Sequence, residues 1–595
     1  MVWKTAVLAA TILAFSTAGA QTETDLHEVV TVSADQSPVE FENLTRTVTV
    51  LEREQIEQIP ASSVNDLLRY VASVEVKSRG PFGVQSDISI RGAGFGRILI
   101  MVNGIRMNDS QTGHHNADFP VSVSDIERIE VLHGVNSSVH GADAFGGTIN
   151  IITRGGRHAS RVSLSGGQHG LVDGSATFNF GGEKIRQTIS FWGNRSSGFM
   201  FDRDFRNLGF NSTTSLGEKT SLSFAWADKD FGANQFYGPS PSREWTDNTV
   251  VSARHGMRAF RSFDLSIQGF YRTHGDRFLW DINRPGLFEN KHRTHAVGTR
   301  LTAARTLGER LSLVFGSELG EDWIRSSNMG DHQYFRSGLF TQMQYESPGN
   351  SSITAGMRWD YTDAFGGAFN PSVSSAWWVH PAVKLRGSLG HAFRIPTFTE
   401  QYYSDPNHQA GETLSPERAW ETEAGIDWFP TSLWLFRGNL FYRWEEDVID
   451  WIRNNEEEKW RSVNIRDIDA RGVEISLERT LGNGAMVQVQ YSYIDLKTLE
   501  TVPLSKYVFD YPRHSITGFA TVSLPLSTVF SQRVDYKKRE DGRSYWLADA
   551  RLVKEFESIS VFGEVTNLLN TSYQELLGVD MPGRWFRGGL TLEFQ

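Results

Sequence analysis

The chain has 595 residues and a net charge of −11, from 59 basic and 70 acidic residues. A net-acidic chain without a long basic run is a poor nucleic-acid binder, because phosphate recognition needs clustered Lys and Arg. The sequence has no cysteine, which excludes disulfide scaffolds, thiolate zinc sites and cysteine nucleophiles. Past the N-terminus, no apolar run reaches the roughly 18–20 residues of a membrane helix, so this chain would have to cross a membrane as a β-barrel.

The N-terminal segment Met1–Ala20 is typical of an export signal peptide. One cation, Lys4, precedes the apolar stretch Ala6–Phe15, and the segment ends in the small-x-small pattern Ala18–Ala20. We therefore expect an exported protein whose mature chain starts at Gln21. The alternative is a short N-terminal helix of a cytoplasmic protein.

Residues 21–155 have the mixed pattern of a small α+β domain. Helices are predicted at Gln55–Glu57 and Ala61–Val71, and Ser62 or Ser63 can cap the second one. Short strands joined by glycine-rich turns follow at Ile88–Ile90, Ile98–Val102, Ile129–Val131 and Thr148–Ile152.

Residues 156–595 have the alternation of β-strands with two unlike faces. Leu222, Phe224 and Trp226, for example, alternate with small residues, and turn sequences such as Pro348–Asn350 separate the segments. A strand crosses a membrane in about 9–11 residues. The length fits an all-β transmembrane barrel of about 22 antiparallel strands, and it also fits about 16–18 strands with longer loops.

Aromatic residues cluster near the ends of the predicted strands. This placement is typical of the interfacial girdle of a membrane barrel, and aromatic packing in a soluble β-protein is the alternative. A passive porin and a secreted β-rich protein are therefore the competing hypotheses from other functional classes. The clusters are Trp377-Trp378, Tyr402-Tyr403, Trp444, Trp451 and Trp585-Phe586.

Four motifs follow one another in the first 155 residues. They are Glu28–Val32, Ile88–Gly92, Val102–Arg106, and a long segment from Asp125–Val131 through Gly146–Thr153. In this order and spacing they resemble the plug domain of the TonB-dependent outer-membrane receptor family. Ala392–Thr397, Leu414–Glu417 and Val565–Asn570 are similar to the barrel of the same family, so the resemblance extends over nearly all of the mature chain.

The resemblance implies a plug nested inside a barrel and TonB-dependent active import of a large, scarce nutrient. It places the chain in outer-membrane lipid of a Gram-negative-type bacterium as a monomer, with TonB as its partner and a small-molecule metal complex as ligand. Mature length and short loops favour the cobalamin branch. A ferric siderophore or haem is the alternative, and His408 downstream of Phe393–Pro396 is the feature that suggests haem.

Glu28, Val29, Val30, Thr31 and Val32 are the expected TonB box. An extended segment rich in β-branched residues can add a strand to the edge of a partner's sheet. A strand belonging to the plug itself is the alternative.

Three charged plug residues, Arg91, Glu127 and Arg128, stand where the resemblance implies contacts between plug and barrel. A buried ion pair is weak evidence of stability, but it can specify how two surfaces dock. Ordinary surface pairing is the alternative, and the sequence does not name the barrel partners.

Ligand contacts are expected from two segments, the plug loop 108–120 and the barrel loop 230–237. Adjacent histidines can contact a metal complex or hydrogen-bond an amide, and aromatic rings can stack on a large ring system. Solvated histidines and self-packing of the barrel loop are the alternatives. The candidates are Asn108, His114, His115, Asn116, Phe236 and Tyr237.

Motifs for enzymes are missing from the sequence. His27-Glu28 is followed by Thr31 where a zinc protease needs histidine, and no G-x-S-x-G occurs. We expect no catalytic residue and no resident cofactor. Calcium in the extracellular loops stays open, since Asp228, Asp230 and Asp247 are too scattered to define a site.

Overall fold

The computed structural model describes residues 31–32, 39–40, 44–156, 158–259, 263–411, 413–481, 485–498 and 504–594. The predicted signal peptide Met1–Ala20 and the residues Glu28, Val29 and Val30 of the predicted TonB box lie outside them. Thr31–Val32 forms a short antiparallel pair with Val39–Glu40.

Twenty-two long antiparallel strands form a closed barrel, as the alternation predicted. The first strand pairs with the last, Ser160 opposite Phe594, so the barrel leaves no open sheet edge. The strands are Ser160–Gly167, Leu171–Gly181, Ile185–Ser196, Phe205–Leu216, Thr220–Gly232, Arg243–Ala259, Phe263–Leu279, Glu289–Leu307, Leu311–Ser326, Gly330–Ser347, Ser351–Thr362, Gly366–His380, Val383–Arg394, Glu417–Thr431, Trp434–Arg453, Trp460–Thr480, Met486–Thr498, Pro512–Leu524, Thr528–Arg539, Ser544–Glu555, Ile559–Thr566 and Trp585–Phe594.

Each strand separates an apolar outer face from a polar inner one. On Ser351–Thr362, Met357 and Trp359 point outward and are each 52% exposed, whereas their neighbours Arg358 and Asp360 point into the lumen and are buried. Such alternation places an apolar band around the outside and polar groups inside, which is the pattern of a membrane barrel.

Residues 44–153 fold into the predicted α+β plug. Its central sheet has five strands, in the order Val48–Glu52, Ile126–His133, Gly147–Thr153, Ile98–Val102 and Ile105–Arg106. Val74–Ser78 pairs separately with Ser86–Ile90. The strands predicted from the sequence are all present in these ranges.

The plug helices are short. They cover Arg53–Gln58, Val64–Leu68 and Ser137–His140, so the second is shorter than the Ala61–Val71 predicted from its apolar stripe. It begins late because Ser63 is the N-cap, whose hydroxyl accepts a hydrogen bond from the backbone N–H of Asp66. Three 3₁₀ turns (Phe95–Arg97, Gly113–His115, Val123–Asp125) and the loop helix Phe398–Tyr402 complete the helical elements.

The plug packs directly on the inner wall of the barrel. Its buried apolar core includes four barrel side chains, Val250, Ala392, Ala419 and Phe519. Among the described residues, the helices are all too short or too polar to span a bilayer.

Candidate functional site

A large open cavity lies between the plug and the barrel loops, at the end of the barrel opposite the Ser160–Phe594 pair. Its empty volume is about 1310 Å³. The plug contributes the 3₁₀ turns Phe95–Arg97 and Gly113–His115, and the barrel contributes strand ends and loops. Aromatic rings from several of these segments face it: Phe95, Tyr237, Phe278, Trp280, Tyr403, Trp451 and Tyr507.

His114 is fixed at the plug side of the cavity by stacking and by a carboxylate. Its ring stacks on Phe95 with centroids 4.3 Å apart, and its Nδ1 lies 2.7 Å from Asp87 Oδ1. Burial lowers the pKa of His114 in spite of this carboxylate. Burial alone would raise the pKa of Asp87, but the Arg79 guanidinium, 3.0 Å away, and His114 together hold it below its ordinary value.

Of the six predicted ligand contacts, His114, His115 and Tyr237 line the cavity. Tyr237 reaches it from the barrel loop, where its hydroxyl donates to Gln85 Oε1 at 2.9 Å. The structure therefore brings together one pair of plug histidines and one aromatic side chain of the barrel.

The other three predicted contacts, Asn108, Asn116 and Phe236, lie away from the cavity. The Asn108 side chain bridges the backbone of Ile98 and Ile100, because its amide matches a free carbonyl and N–H there. Asn116 Nδ2 donates to the Phe95 carbonyl at 3.0 Å. The Phe236 ring packs against the Arg203 guanidinium, whose central carbon lies 4.6 Å from the centroid of the ring. These side chains support the walls, and direct ligand contact by them stays a prediction.

Sequence reasoning missed a row of three hydrogen-bonded side chains on the loop side of the cavity. Lys506 Nζ donates to His408 Nε2 at 2.7 Å, and His408 Nδ1 lies 3.0 Å from both carboxylate oxygens of Asp405. Burial lowers the pKa of His408 and lowers that of Lys506 to about 8. The sequence drew attention to His408 as a possible haem contact, but not to its partner Lys506, which belongs to a distant loop.

Carboxylates outnumber fixed cations in the lining of the cavity. Three basic side chains line it, Arg97, Arg394 and Lys506, against the five acidic side chains of Glu244, Asp276, Glu400, Asp405 and Asp450. Both guanidinium groups are already paired, since Arg97 and Arg394 share Glu417 at 3.0 and 2.7 Å. The cavity therefore offers little uncompensated positive charge to a ligand.

Below the cavity, Arg91 joins the plug to three barrel strands. It forms a bidentate pair with Glu474, at 2.9 and 2.7 Å, and its Nη1 donates to Glu421 at 2.9 Å and to Glu423 at 2.6 Å. Its side chain is fully buried. Arg443 completes the network by donating to Glu421 and to the Arg91 carbonyl.

The other two predicted plug–barrel residues have partners close by in the chain. Glu127 lies 3.8 Å from Arg154 and 3.4 Å from His158, in the segment that leads into the barrel. Arg128 donates to Glu130 of its own strand at 2.8 Å. A barrel contact for either residue stays a prediction.

Two family models match the chain. One describes the TonB-dependent receptor plug domain and matches residues 41–148. The other describes the TonB-dependent receptor-like β-barrel and matches residues 147–568. The chain belongs to the TonB-dependent receptor family. The members of this family are receptors and transporters of the Gram-negative outer membrane and not enzymes. The matched plug also separates this TonB-dependent receptor from passive porins and from secreted β-proteins.

Curated relatives of this receptor include vitamin B12 transporters. The vitamin B12 transporter BtuB of Photobacterium profundum is 24% identical over 505 residues, which cover 79% of each chain. BtuB of Vibrio vulnificus is 23% identical over 486 residues, or 76% of each chain.

Solved structures with the same fold include receptors for iron complexes. The siderophore receptor PirA from Acinetobacter baumannii has a TM-score of 0.76 at 16% identity, covering 93% of this chain and 99% of that one. The FrpB iron transporter from Neisseria meningitidis has a TM-score of 0.75 at 16% identity, with coverages of 92% and 99%. At these identities the similarity shows the shared fold.

Proposed function

We propose that this receptor imports a cobalamin-class corrinoid across the outer membrane, as a monomer embedded in outer-membrane lipid. The main observation in favour of a corrinoid is the charge balance of the cavity, because both of its guanidinium groups already form ion pairs with carboxylates. Ferric siderophores are often anionic and favour basic pockets. A large ligand of low net charge, with apolar edges and peripheral amides, suits aromatic walls interspersed with polar groups.

Similarity to the vitamin B12 transporters also supports this proposal. A ferric siderophore is the second candidate, which the shared fold with siderophore receptors favours. Haem has less support, because both ring nitrogens of His408 already have partners, Asp405 and Lys506.

Calorimetry on the purified full-length protein in detergent tests the proposal. Cyanocobalamin, haemin and a panel of ferric siderophores are titrated in turn. We expect saturable binding of cyanocobalamin and none of the iron complexes. Binding of a ferric siderophore without cyanocobalamin would reject the corrinoid and leave the family assignment unaffected.

Import against a concentration gradient needs an external energy source, because the outer membrane has no ATP. We propose that ligand binding at the cavity makes the TonB box, Glu28–Val32, available on the periplasmic side. TonB then pairs with it as an added strand and transmits work from the inner-membrane proton gradient to the plug.

The plug histidines provide one test of the cavity. We expect the double substitution His114→Ala and His115→Ala to weaken cyanocobalamin binding about tenfold, because it removes the ring stacked on Phe95 and a neighbouring polar wall. Calorimetry measures the change. Leu287→Ala, at an exposed position of the loop that carries Trp280, is the matched control. Equal affinities of the double variant and the wild type would show that the ligand does not reach the plug.

The titration of Lys506 predicts a pH dependence. Since burial lowers its pKa to about 8, the ammonium is present below that pH and lost above it. Its hydrogen-bond partner is the imidazole of His408, so it is the cavity cation placed to meet an anionic group such as the corrinoid phosphodiester. We expect the affinity for cyanocobalamin to fall as the pH rises through about 8, and Lys506→Met to remove this dependence. A pH dependence that persists in Lys506→Met would assign it to another group.

A further inference from the structure

A cluster of imidazoles and carboxylates lies where the plug meets the barrel at the floor of the cavity. His115 comes from the plug, and Glu244 and Asp276 come from neighbouring barrel strands. One ligand atom of each residue lies within 4.8 Å of the others, and all three residues are buried. They also line the cavity, so a small ion can reach them from the side on which the ligand enters.

Several polar atoms in this cluster have no hydrogen-bond partner. Asp276 Oδ1 and Gln111 Oε1 are buried and have no partner, whereas His115 Nδ1 and His274 Nδ1 make no hydrogen bond but lie 3.7 Å from Asp118 Oδ2 and 3.3 Å from Asp109 Oδ2. Asp276 and His115 are 8% and 3% exposed, so solvent does not compensate them. An unsatisfied buried polar atom costs about 1–3 kcal/mol, which points to a missing partner.

Among the described residues, Glu244 and Asp276 form no ion pair with a lysine or an arginine, and Asp276 has only the His115 imidazole as an ionisable partner. Asp109 and Asp118 are paired with Arg272 and Lys229 at 2.9 and 2.8 Å. Arg79, the next cation, is engaged by Asp87. Compensation of Glu244 and Asp276 therefore falls to the His115 imidazole or to an added cation, because a buried charge is costly unless it is paired or binds a metal.

The spacing suits a small tetrahedral ion. His115 Nε2 lies 3.3 Å from Asp276 Oδ2, which also accepts a hydrogen bond from Gln111 Nε2 at 2.7 Å, while Asp276 Oδ1 has no partner. Two ligand atoms that each lie about 2.0–2.1 Å from one zinc ion in tetrahedral geometry are about 3.3 Å apart. Imidazole nitrogen with carboxylate oxygen is a ligand set that divalent transition metals favour, and a site with three protein ligands keeps one position open.

The neighbouring triad of His115, Asp118 and His274 is less suited to hold the ion, because its carboxylate already pairs with a lysine. Apart from the imidazole of His115, the only described groups that donate to the carboxylates of Glu244 and Asp276 are uncharged side chains, those of Gln85, Tyr237 and Gln111. Both oxygens of Asp118 are occupied, Oδ1 by Lys229 and Oδ2 by His274 Nε2 at 3.1 Å. Asp118 Oδ2 also lies 3.7 Å from His115 Nδ1. There it is in position to orient the imidazole of a metal ligand, as carboxylates do in many zinc sites.

We propose that His115, Glu244 and Asp276 bind one divalent transition-metal ion of the zinc class. The ion compensates the two carboxylates and satisfies Asp276. It links the plug to two barrel strands at the floor of the cavity, and its open position faces the ligand. The proposal concerns the apo receptor and stands independently of which nutrient the cavity takes.

Metal titration of the purified, chelator-treated full-length protein tests the proposal. We expect calorimetry with Zn²⁺ to show one site, and Co²⁺ to give the visible absorption of a tetrahedral centre. Asp276→Asn and His115→Ala should each weaken Zn²⁺ binding at least about tenfold, the loss that even outer partners of metal ligands produce. His255→Ala, an exposed histidine remote from the cluster, should bind as the wild type does.

The rival explanation is that protonated imidazoles balance the same carboxylates without a metal. It predicts no saturable Zn²⁺ binding beyond that of Asp276→Asn and no tetrahedral Co²⁺ spectrum, and either result would overturn the proposal. Cyanocobalamin titrated onto the metal-free wild type reports separately on the proposed ligand, so failure of one proposal is distinguishable from failure of the other.

Discussion

Val30→Pro is expected to abolish energised uptake while leaving ligand binding unchanged. Proline has no backbone N–H and cannot donate to a strand ladder, so a TonB box carrying it cannot pair with the sheet edge of TonB. We expect binding to be unaffected, because the described residues that line the cavity begin at Gly94, well beyond Val30 in the chain. Accumulation of labelled cyanocobalamin in cells measures uptake, and calorimetry on purified protein measures binding.

Thr22→Pro is the matched control for that substitution. It introduces the same residue near the predicted mature N-terminus but outside Glu28–Val32, and we expect normal uptake. Normal uptake by Val30→Pro as well would show that strand pairing at this segment is not the route of energy transfer.

Arg91→Ala is expected to loosen the plug in the barrel. The substitution leaves the carboxylates of Glu421, Glu423 and Glu474 buried and repelling one another. Removal of one partner from a buried ion pair costs about 3–5 kcal/mol. Hydrogen exchange of the plug strand Ser86–Ile90 under increasing denaturant measures the free energy of local opening, which we expect to fall by that amount.

Arg284→Ala is the control for Arg91→Ala. Arg284 pairs with Asp281 at 2.8 Å, but its side chain is 67% exposed, and surface pairs contribute little. Unchanged exchange in Arg91→Ala would mean that the apolar contacts of the plug core hold it without the ion pairs. The network is compatible with a plug that moves, because ion pairs released into a wet lumen are rehydrated.

The barrel could be predicted because its pattern is local. Every other residue of a strand faces outward and its neighbour faces the lumen, so the adjacent residues Met357 and Arg358 already distinguish the two faces in the sequence. The plug strands were also predictable, since runs such as Ile98–Val102 are short, apolar and bounded by turns. The second plug helix was predicted too long, because the capping of Ser63 outweighed the apolar stripe.

The candidate site was only partly predictable. His114 belongs to a plug loop that the family resemblance assigned to the ligand side, and Tyr237 was proposed from the aromatic residues of its barrel loop. Lys506 and His408 lie 98 residues apart and meet only because two barrel loops fold over the same opening. The side-chain amides of Asn108 and Asn116 could hydrogen-bond a ligand, but in the structure they already donate to nearby backbone carbonyls.

By itself, the sequence determined the barrel, the plug and the family, because strand periodicity and ordered motifs need only neighbours in the chain. It also nominated Arg91 as a docking residue. The tertiary structure alone decided that the partners of Arg91 are Glu421 and Glu474, which are 330 and 383 residues away. The same holds for the cluster of His115, Glu244 and Asp276. Closure of the barrel and the register of its strands bring such residues together, and no local sequence pattern predicts contacts between residues so far apart in the chain.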